Sequence, residues 1–223
     1  MQPLHRYGWI PDLPDERDLP YATLAIAVPP LPRATNLMKY CSPIEDQGNL
    51  GSCTAQALVG NLEFLKKKLL GKTINFSRLF VYYNERLALG TVASDSGASL
   101  RTGIKTLVKQ GDCAEKIWPY HVEAFAVKPP IIAYQKALDH QIARYYRLNT
   151  LVEMKHTLAM GYPFVFGFTV YESMETSMVN ETGTIPLPKL TERVRGGHAI
   201  MAVGYNDEEH VFLIRNSWGY IVG

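Results

Sequence analysis

A short segment that ends in a cysteine, residues 47–53 (QGNLGSC), constrains the fold of this chain most strongly. Its two glycines indicate a loop, and the apolar side chains after it recur at helical spacing until Gly71 ends the run. The sulfur of Cys53 is therefore predicted at a helix N-terminus, where unpaired N–H groups and the helix dipole favour a thiolate. Gln47 is placed to extend an amide donor toward the same sulfur. A nucleophile with a nearby donor is the minimum for acyl-transfer chemistry.

Cys53 alone does not decide between two interpretations, because a free cysteine is usually a small buried hydrophobic residue. The late segment GGHAIMAVGY, residues 196–205, predicts a buried strand with His198 near its start. A turn follows, and Val211–Arg215 predicts the returning strand. Pairing the two strands as a hairpin brings Asn216 close to His198. An asparagine carbonyl in that position fixes the ring of a histidine that acts as a base.

Four polar residues, each in its own motif, resemble in order the catalytic residues of the papain-like cysteine peptidases. They are Gln47, Cys53, His198 and Asn216. Further matching residues lie in the segments 97–120 and 214–219, and the resemblance covers the chain from about Leu31 onward. It is greatest to bacterial members with a short N-terminal extension. It implies an α+β fold of two lobes, one helical and one an antiparallel β-barrel-like lobe, with the active-site cleft between them.

The resemblance also implies a role for each of these side chains. Cys53 is the nucleophile, His198 is its base and later its acid, and Asn216 orients the imidazole. The side chain of Gln47 and the backbone N–H of Cys53 form the oxyanion hole. The implied enzyme is a cysteine-type endopeptidase, or thiol protease, which hydrolyses polypeptides through an acyl-enzyme without a cofactor. Two alternatives stay open: an acyl or amide transferase on the same fold, and a binding module with a blocked cleft.

A second set of residues matches the family's substrate-binding positions. The resemblance implies that the backbone at Gly97 and Ala98 pairs with the substrate, with Ala98 in place of a usual second glycine. It also implies that Gly167 and Gly197 line the specificity pocket, with Leu100 or Ser99 at its wall. Because glycine leaves the pocket roomy, we expect it to accept bulky side chains. Trp218 is expected to shield the bond between Asn216 and His198 from water. The whole set is Gly97, Ala98, Ser99, Leu100, Gly167, Gly197 and Trp218.

The sequence departs from the family pattern near the nucleophile. Leu50 and Asp95 stand where the resemblance implies the two halves of a disulfide, so that bridge is missing as a unit. Thr54 replaces the usual tryptophan after the nucleophile. The remaining cysteines, Cys41 and Cys113, have no zinc-site spacing and either pair with each other or stay free.

Composition excludes several other classes of protein. Of the 223 residues, 47% are hydrophobic and 20% charged, as in an ordinary globular domain. The net charge of +2 does not favour nucleic acid or an anionic membrane surface as a partner. No stretch approaches the roughly 20 apolar residues of a membrane span. The N-terminus lacks the apolar segment of a signal peptide, which leaves a cytoplasmic location and secretion after processing both open.

The chain is predicted to divide at a proline-rich boundary. Residues 1–30 have no clean periodicity and form an N-terminal extension, while residues 31–223 form the peptidase domain. Within that domain we expect a helical lobe at about 45–125 and a β lobe at about 126–223. We expect the extension to be bound in or beside the cleft through Trp9, Ile10 and Leu13, with a loose tail as the alternative.

Hydrophobic patterning predicts the remaining elements. Helices are expected at Arg78–Leu89, from Leu100 to before Gly111, and at residues 130–139 and 151–160. Strands are expected at residues 143–148 and Phe164–Tyr171, in addition to the closing hairpin. The core candidates of the second helix are Phe80, Val81, Tyr83 and Leu87.

Overall fold

The computed structural model describes residues 6–24 and 30–219. Six α-helices and four β-strands form within these residues. The helices are α1 (Cys53–Leu70), α2 (Arg78–Leu89), α3 (Leu100–Lys109), α4 (Ile131–Ala137), α5 (Leu151–Ala159) and α6 (Ser177–Thr182). The strands are β1 (Ala34–Asn36), β2 (Phe164–Tyr171), β3 (Val194–Asn206) and β4 (Val211–Arg215). Short 3₁₀ turns lie at Tyr21–Leu24, Met38–Tyr40, Val122–Ala124, Leu138–His140 and Glu172–Glu175. The predicted α+β class is confirmed.

The first two helices begin and end where the sequence signals place them, whereas α4 is shorter than predicted and α6 was not predicted. α1 starts at Cys53 and ends at Gly71, whose φ of +64° is a conformation that glycine adopts without strain. The Ser77 side chain accepts a hydrogen bond from the N–H of Phe80 and caps α2. The expectation that Leu87 is buried is wrong. It is 47% exposed because the last turn of α2 extends past the core.

The sheet is organised around β3, which pairs antiparallel with each of the other three strands. β2 and β4 lie on opposite sides of β3, since both pair with Met201 and Ala202. The β3–β4 hairpin has the predicted pairing, with Met201 opposite Arg215. This register places the residue after β4 beside the middle of β3.

Two predictions about the sheet are wrong or incomplete. Residues 143–148 form no strand, and among them only Arg147 makes an isolated bridge, to Pro20. The backbone of Arg147 bonds to Leu19 and Tyr21 instead of to the sheet. These two residues belong to the described part of the N-terminal extension, residues 6–24, which is called the N-terminal segment below. β1 was not predicted, because three residues are too few to show a period. Within residues 6–24 and 30–219 the sheet stays open and does not close into a barrel.

Helix α1 lies between two hydrophobic clusters. One is formed with the other helices and includes Leu58 and Phe80. The other lies between α1 and the sheet and includes Phe64 and Met201. Since α1 belongs to both clusters, its N-terminus is held at the junction of helices and sheet. In the described part of the chain, no helix is long and apolar enough to cross a membrane.

Candidate active site

Cys53 is the first residue of α1 and is completely buried. It packs against Ala57 of the same helix and Ala199 of β3. Burial raises the pKa of the Cys53 thiol to about 11, and backbone hydrogen bonds with Ala199 and Gly8 act in the opposite direction. In this closed arrangement burial therefore raises the pKa of the thiol, whereas the sequence pattern predicts a thiolate stabilised at the helix N-terminus. Gly8 belongs to the N-terminal segment, so that segment contributes to the burial.

His198 and Asn216 meet across the β3–β4 hairpin. The Nε2 atom of His198 lies 2.8 Å from Oδ1 of Asn216. Because the amide oxygen only accepts, Nε2 carries the proton of this bond, and Nδ1 is the nitrogen suited to proton transfer. The indole of Trp218 stacks on the imidazole with ring centroids 4.9 Å apart and planes 25° apart. The indole therefore covers one face of the imidazole, and its predicted role in shielding the bond to Asn216 stays a prediction.

Gln47 is fully buried, and its side chain is held from both ends. Its Nε2 donates to the carbonyl oxygens of Leu50 at 2.9 Å and Arg6 at 3.0 Å. Its Oε1 accepts from the Ser217 hydroxyl at 2.7 Å, and its backbone N–H donates to the Ser217 carbonyl at 2.9 Å. Sequence reasoning missed Ser217, although its place directly after Asn216 was an available signal. The hydroxyl fixes the orientation of the Gln47 amide.

The N-terminal segment lies in the cleft and bonds to its two walls. The N–H of Trp9 donates to the carbonyl of Gly197 at 2.9 Å. The N–H of Ile10 donates to the carbonyl of Ala98 at 2.9 Å, and the N–H of Ala98 donates to the carbonyl of Gly8 at 2.8 Å. The backbone groups assigned to substrate pairing at Ala98 are therefore used by the chain itself.

The pocket assigned to specificity holds the indole of Trp9. A Cβ atom added to Gly167 would lie 2.0 Å from Cε2 of that ring, and one added to Gly197 would lie 2.9 Å from Cε3. The ring also packs in the cluster that contains Cys53, beside Leu100. Ser99 has another place, since its hydroxyl caps α3. Only residues without a side chain at 167 and 197 leave room for a group of this size.

Beyond Ile10 the N-terminal segment is fastened by charged groups. The guanidinium of Arg101 bonds to Asp18 at 2.6 and 3.0 Å and to the carbonyl of Leu13 at 2.7 Å. Arg147 contacts the same Asp18 carboxylate at 3.1 Å. These contacts hold the pKa of Asp18 below its usual value, chiefly through the bonds from Arg101. The expected packing of Leu13 is wrong, because its side chain is 81% exposed and only its backbone is used.

The departures from the family pattern have visible structural consequences. Cys41, Cys53 and Cys113 are all free thiols. The hydroxyl of Thr54 donates to the carboxyl group of Glu85 at 2.8 Å in a fully buried contact. Burial raises the pKa of Glu85 to about 8. A smaller residue after the nucleophile thus leaves room for a buried carboxyl, which the sequence pattern does not reveal.

An α+β chain with this arrangement of cysteine, histidine and asparagine has the architecture of a cysteine peptidase. Residues 32–223 match the papain family of cysteine proteases, and the chain belongs to that family. It is 39% identical to xylellain, a cysteine protease from Xylella fastidiosa, with a TM-score of 0.86, covering 100% of this chain and 88% of that one. It is 43% identical over 184 residues to an uncharacterized peptidase C1-like protein of Acanthamoeba polyphaga mimivirus, covering 78% of this chain.

Two further comparisons define the range of the likeness. Digestive procathepsin L 3 of Tenebrio molitor shares the fold, with a TM-score of 0.70 at 16% identity, covering 91% of this chain and 64% of that one. The chain spans only 59% of the mimivirus protein and 61% of a cathepsin B-like protein of Giardia intestinalis. It therefore corresponds to about three fifths of the length of these curated relatives.

Proposed function

We propose that this protein is a cysteine-type endopeptidase that hydrolyses polypeptides through an acyl-enzyme. The observation that carries the proposal is the 2.8 Å bond from His198 to Asn216, on the strand that packs against Cys53 at the start of α1. The family likeness supports it, and the site supplies each group that acyl transfer from a peptide requires. No feature of the site favours transfer to an amine over transfer to water.

The chemistry divides among four groups. Nδ1 of His198 takes the thiol proton of Cys53, and the sulfur attacks the carbonyl carbon of the scissile bond. The amide of Gln47 and the backbone N–H of Cys53 stabilise the oxyanion. His198 then gives its proton to the leaving amine, which leaves a thioester. Water, deprotonated by His198, attacks that thioester and releases the second product with the free thiol. Asn216 keeps the imidazole in the required tautomer throughout.

We also propose that the N-terminal segment inhibits the enzyme by covering its own cleft. The carbonyl of Arg6 occupies the Gln47 donor, and Gly8 and Trp9 bond to the walls of the cleft. A substrate has to displace these contacts to reach Cys53. In the domain division that this implies, residues 1–30 regulate a peptidase domain of residues 31–223, with a helical lobe near 45–125 and a β lobe near 126–223.

The seat of Trp9 supports a preference for bulky residues at the pocket of Gly167 and Gly197. An indole fits there without a clash, and the pocket wall at Leu100 is apolar. We propose that a substrate side chain takes this place when the N-terminal segment leaves. A peptide library that showed selection for small residues at this subsite would contradict the assignment.

The test is covalent labelling of the full chain and of a chain without residues 1–30 with a peptidyl epoxide that alkylates activated thiolates. The expected adduct, located by mass spectrometry, is on Cys53 and disappears in His198→Ala. Faster labelling after truncation is expected if the N-terminal segment inhibits. Equal labelling of Cys41 and Cys113, or none in either chain, would contradict the peptidase assignment.

A further inference from the structure

The carboxylate of Asp95 contacts three separate segments of the chain. Its two oxygens accept from the backbone N–H of Gly51 at 3.0 and 3.1 Å. The hydroxyl of Tyr82, on α2, donates to Oδ1. The Nε of Arg6, in the N-terminal segment, donates to Oδ2 at 3.1 Å. The Asp95 side chain is only 15% exposed, so these contacts are screened less than those of a surface carboxylate.

The contacts of Asp95 continue through Tyr82 to Gly97, which lies on the other side of Gly8 from Gly51. The phenol oxygen of Tyr82 accepts from the backbone N–H of Gly97 at 3.1 Å while its hydrogen is donated to Asp95. Burial, and next the bond to Asp95, raise the pKa of Tyr82 far above its usual value, which keeps the donor proton in place. A single chain of hydrogen bonds therefore joins Gly51, two residues before the nucleophile, to Gly97.

The two glycines at the ends of this chain form a slot one backbone wide. A Cβ atom added to Gly97 would lie 2.0 Å from the carbonyl oxygen of Gly8, and one added to Gly8 would lie 1.8 Å from the carbonyl oxygen of Gly51. The N-terminal segment crosses the thiol inside this slot. Ala98, which pairs with that segment, directly follows one wall.

We propose that Asp95 is a positioning residue that sets the width of this slot. It does so by tying the loop before Cys53, at Gly51, to the backbone at Gly97 and Ala98. The same carboxylate fastens the N-terminal segment through Arg6. Leu50 and Asp95 are the two positions where the family resemblance implies a disulfide, so hydrogen bonds take over the connection between the loops. The kinetic consequence of this proposal rests on the proposed peptidase function, whereas its structural consequence does not.

The structural test uses amide hydrogen exchange measured by NMR on the full chain. The Gly97 N–H bonds to Tyr82 and not directly to Asp95. Faster exchange at Gly97 in Asp95→Ala would therefore report that the chain of hydrogen bonds is broken. We expect at least about tenfold faster exchange at both Gly51 and Gly97, as for a local opening that leaves the helices protected. Tyr82→Phe should speed amide exchange at Gly97 in the same way, with the fold intact. The proposal would be overturned by unchanged exchange at Gly97 in Tyr82→Phe. It would also be overturned if Asp95→Ala speeds exchange at Gly51 but not at Gly97.

The kinetic test compares two reagents for Cys53 in an Arg6→Ala, Trp9→Ala background. The first change removes the contact of Asp95 with the N-terminal segment, and the second empties the pocket that the peptide must enter. Adding Asp95→Ala should slow inactivation by a peptidyl epoxide by about tenfold, because a misplaced Ala98 no longer orients the peptide. Alkylation by iodoacetamide, which needs no peptide pairing, should change by less than about twofold. Asp207→Asn, which removes the ion pair with Lys155, is the matched control.

The two tests separate this proposal from the peptidase function. An equal loss with both reagents would assign Asp95 to general stability and overturn the positioning role. Failure of the peptidyl epoxide to label the parent chain would count against the peptidase function, and hydrogen exchange at Gly97 would still decide the structural link.

Discussion

The side-chain nitrogen of Gln47 donates to the carbonyl oxygen of Arg6 at 3.0 Å. The donor proposed for the oxyanion is thus occupied by a carbonyl of the same chain. Access to the site and stabilisation of the transition state are therefore linked, since one group serves both. Changes in the N-terminal segment should appear first in the reactivity of Cys53.

Trp9→Ala should raise the reactivity of Cys53 at neutral pH. The indole is part of the cover that buries the thiol, and burial is the main cause of its pKa of about 11. Loosening the cover readmits water and favours the thiolate, so the apparent pKa should fall. The pH dependence of iodoacetamide alkylation measures this shift. Leu13→Ala is the control, because that side chain is 81% exposed and should leave the profile unchanged.

Asn216→Ala should lower kcat/KM for a peptide substrate by about 10²-fold, within the range that general acid–base catalysis contributes. Without the 2.8 Å bond, the imidazole of His198 loses its fixed tautomer and orientation. KM should change little, because the bond does not contact substrate. Asn180→Ala, at an exposed position of α6, provides a comparison. A value of kcat/KM within twofold of the parent would remove Asn216 from the mechanism.

Acid should release the N-terminal segment. The pKa of Asp18 is held below its usual 3.8, first by the bonds from Arg101. The bound carboxylate therefore stabilises the closed form above pH 3.8, and this contribution is lost as the pH falls through the lowered pKa. Arg101→Ala should release the segment at neutral pH as well. Limited proteolysis within residues 6–24 measures release. Equal resistance of Arg101→Ala and the parent at neutral pH would contradict the role of this contact.

Glu85→Gln should change how stability depends on pH. The carboxyl of Glu85 titrates at about 8 when folded, against 4.5 in the unfolded chain. Between these values only the unfolded chain ionises, so folding loses stability as pH rises, by about 1.4 kcal/mol per unit. The amide variant cannot ionise and should be more stable than the parent at pH 7, with little difference at pH 4. Urea unfolding at both pH values tests this, with exposed Glu209→Gln as control.

Local signals predicted much of the fold and the placement of the candidate site. Gly71 ends α1, Ser77 caps α2, and the β3–β4 hairpin brings His198 to Asn216, since each follows from nearby residues. The aromatic residues within 143–148 favour a strand, yet the one residue there that pairs, Arg147, bonds to the backbone of Leu19 and Tyr21, a long-range pairing that no local pattern encodes. The prediction of a stabilised thiolate at Cys53 differs from the raised pKa in the structure for the same reason. The sequence shows the helix N-terminus, but the residues of the N-terminal segment that bury and desolvate Cys53 lie far earlier in the chain.

The N-terminal segment fits into the slot beside the thiol only because residue 8 is a glycine. The segment passes the thiol only at the residue that has no side chain, with 1.8 Å between an added Cβ and the carbonyl oxygen of Gly51. Since a methyl group at position 8 would collide with that carbonyl, we expect Gly8→Ala to displace the segment without any change to the residues of the cleft. The proposed inhibition would then depend on the missing side chain at position 8, so that adding a methyl group should weaken it, whereas most inhibitory contacts are weakened by removing a group.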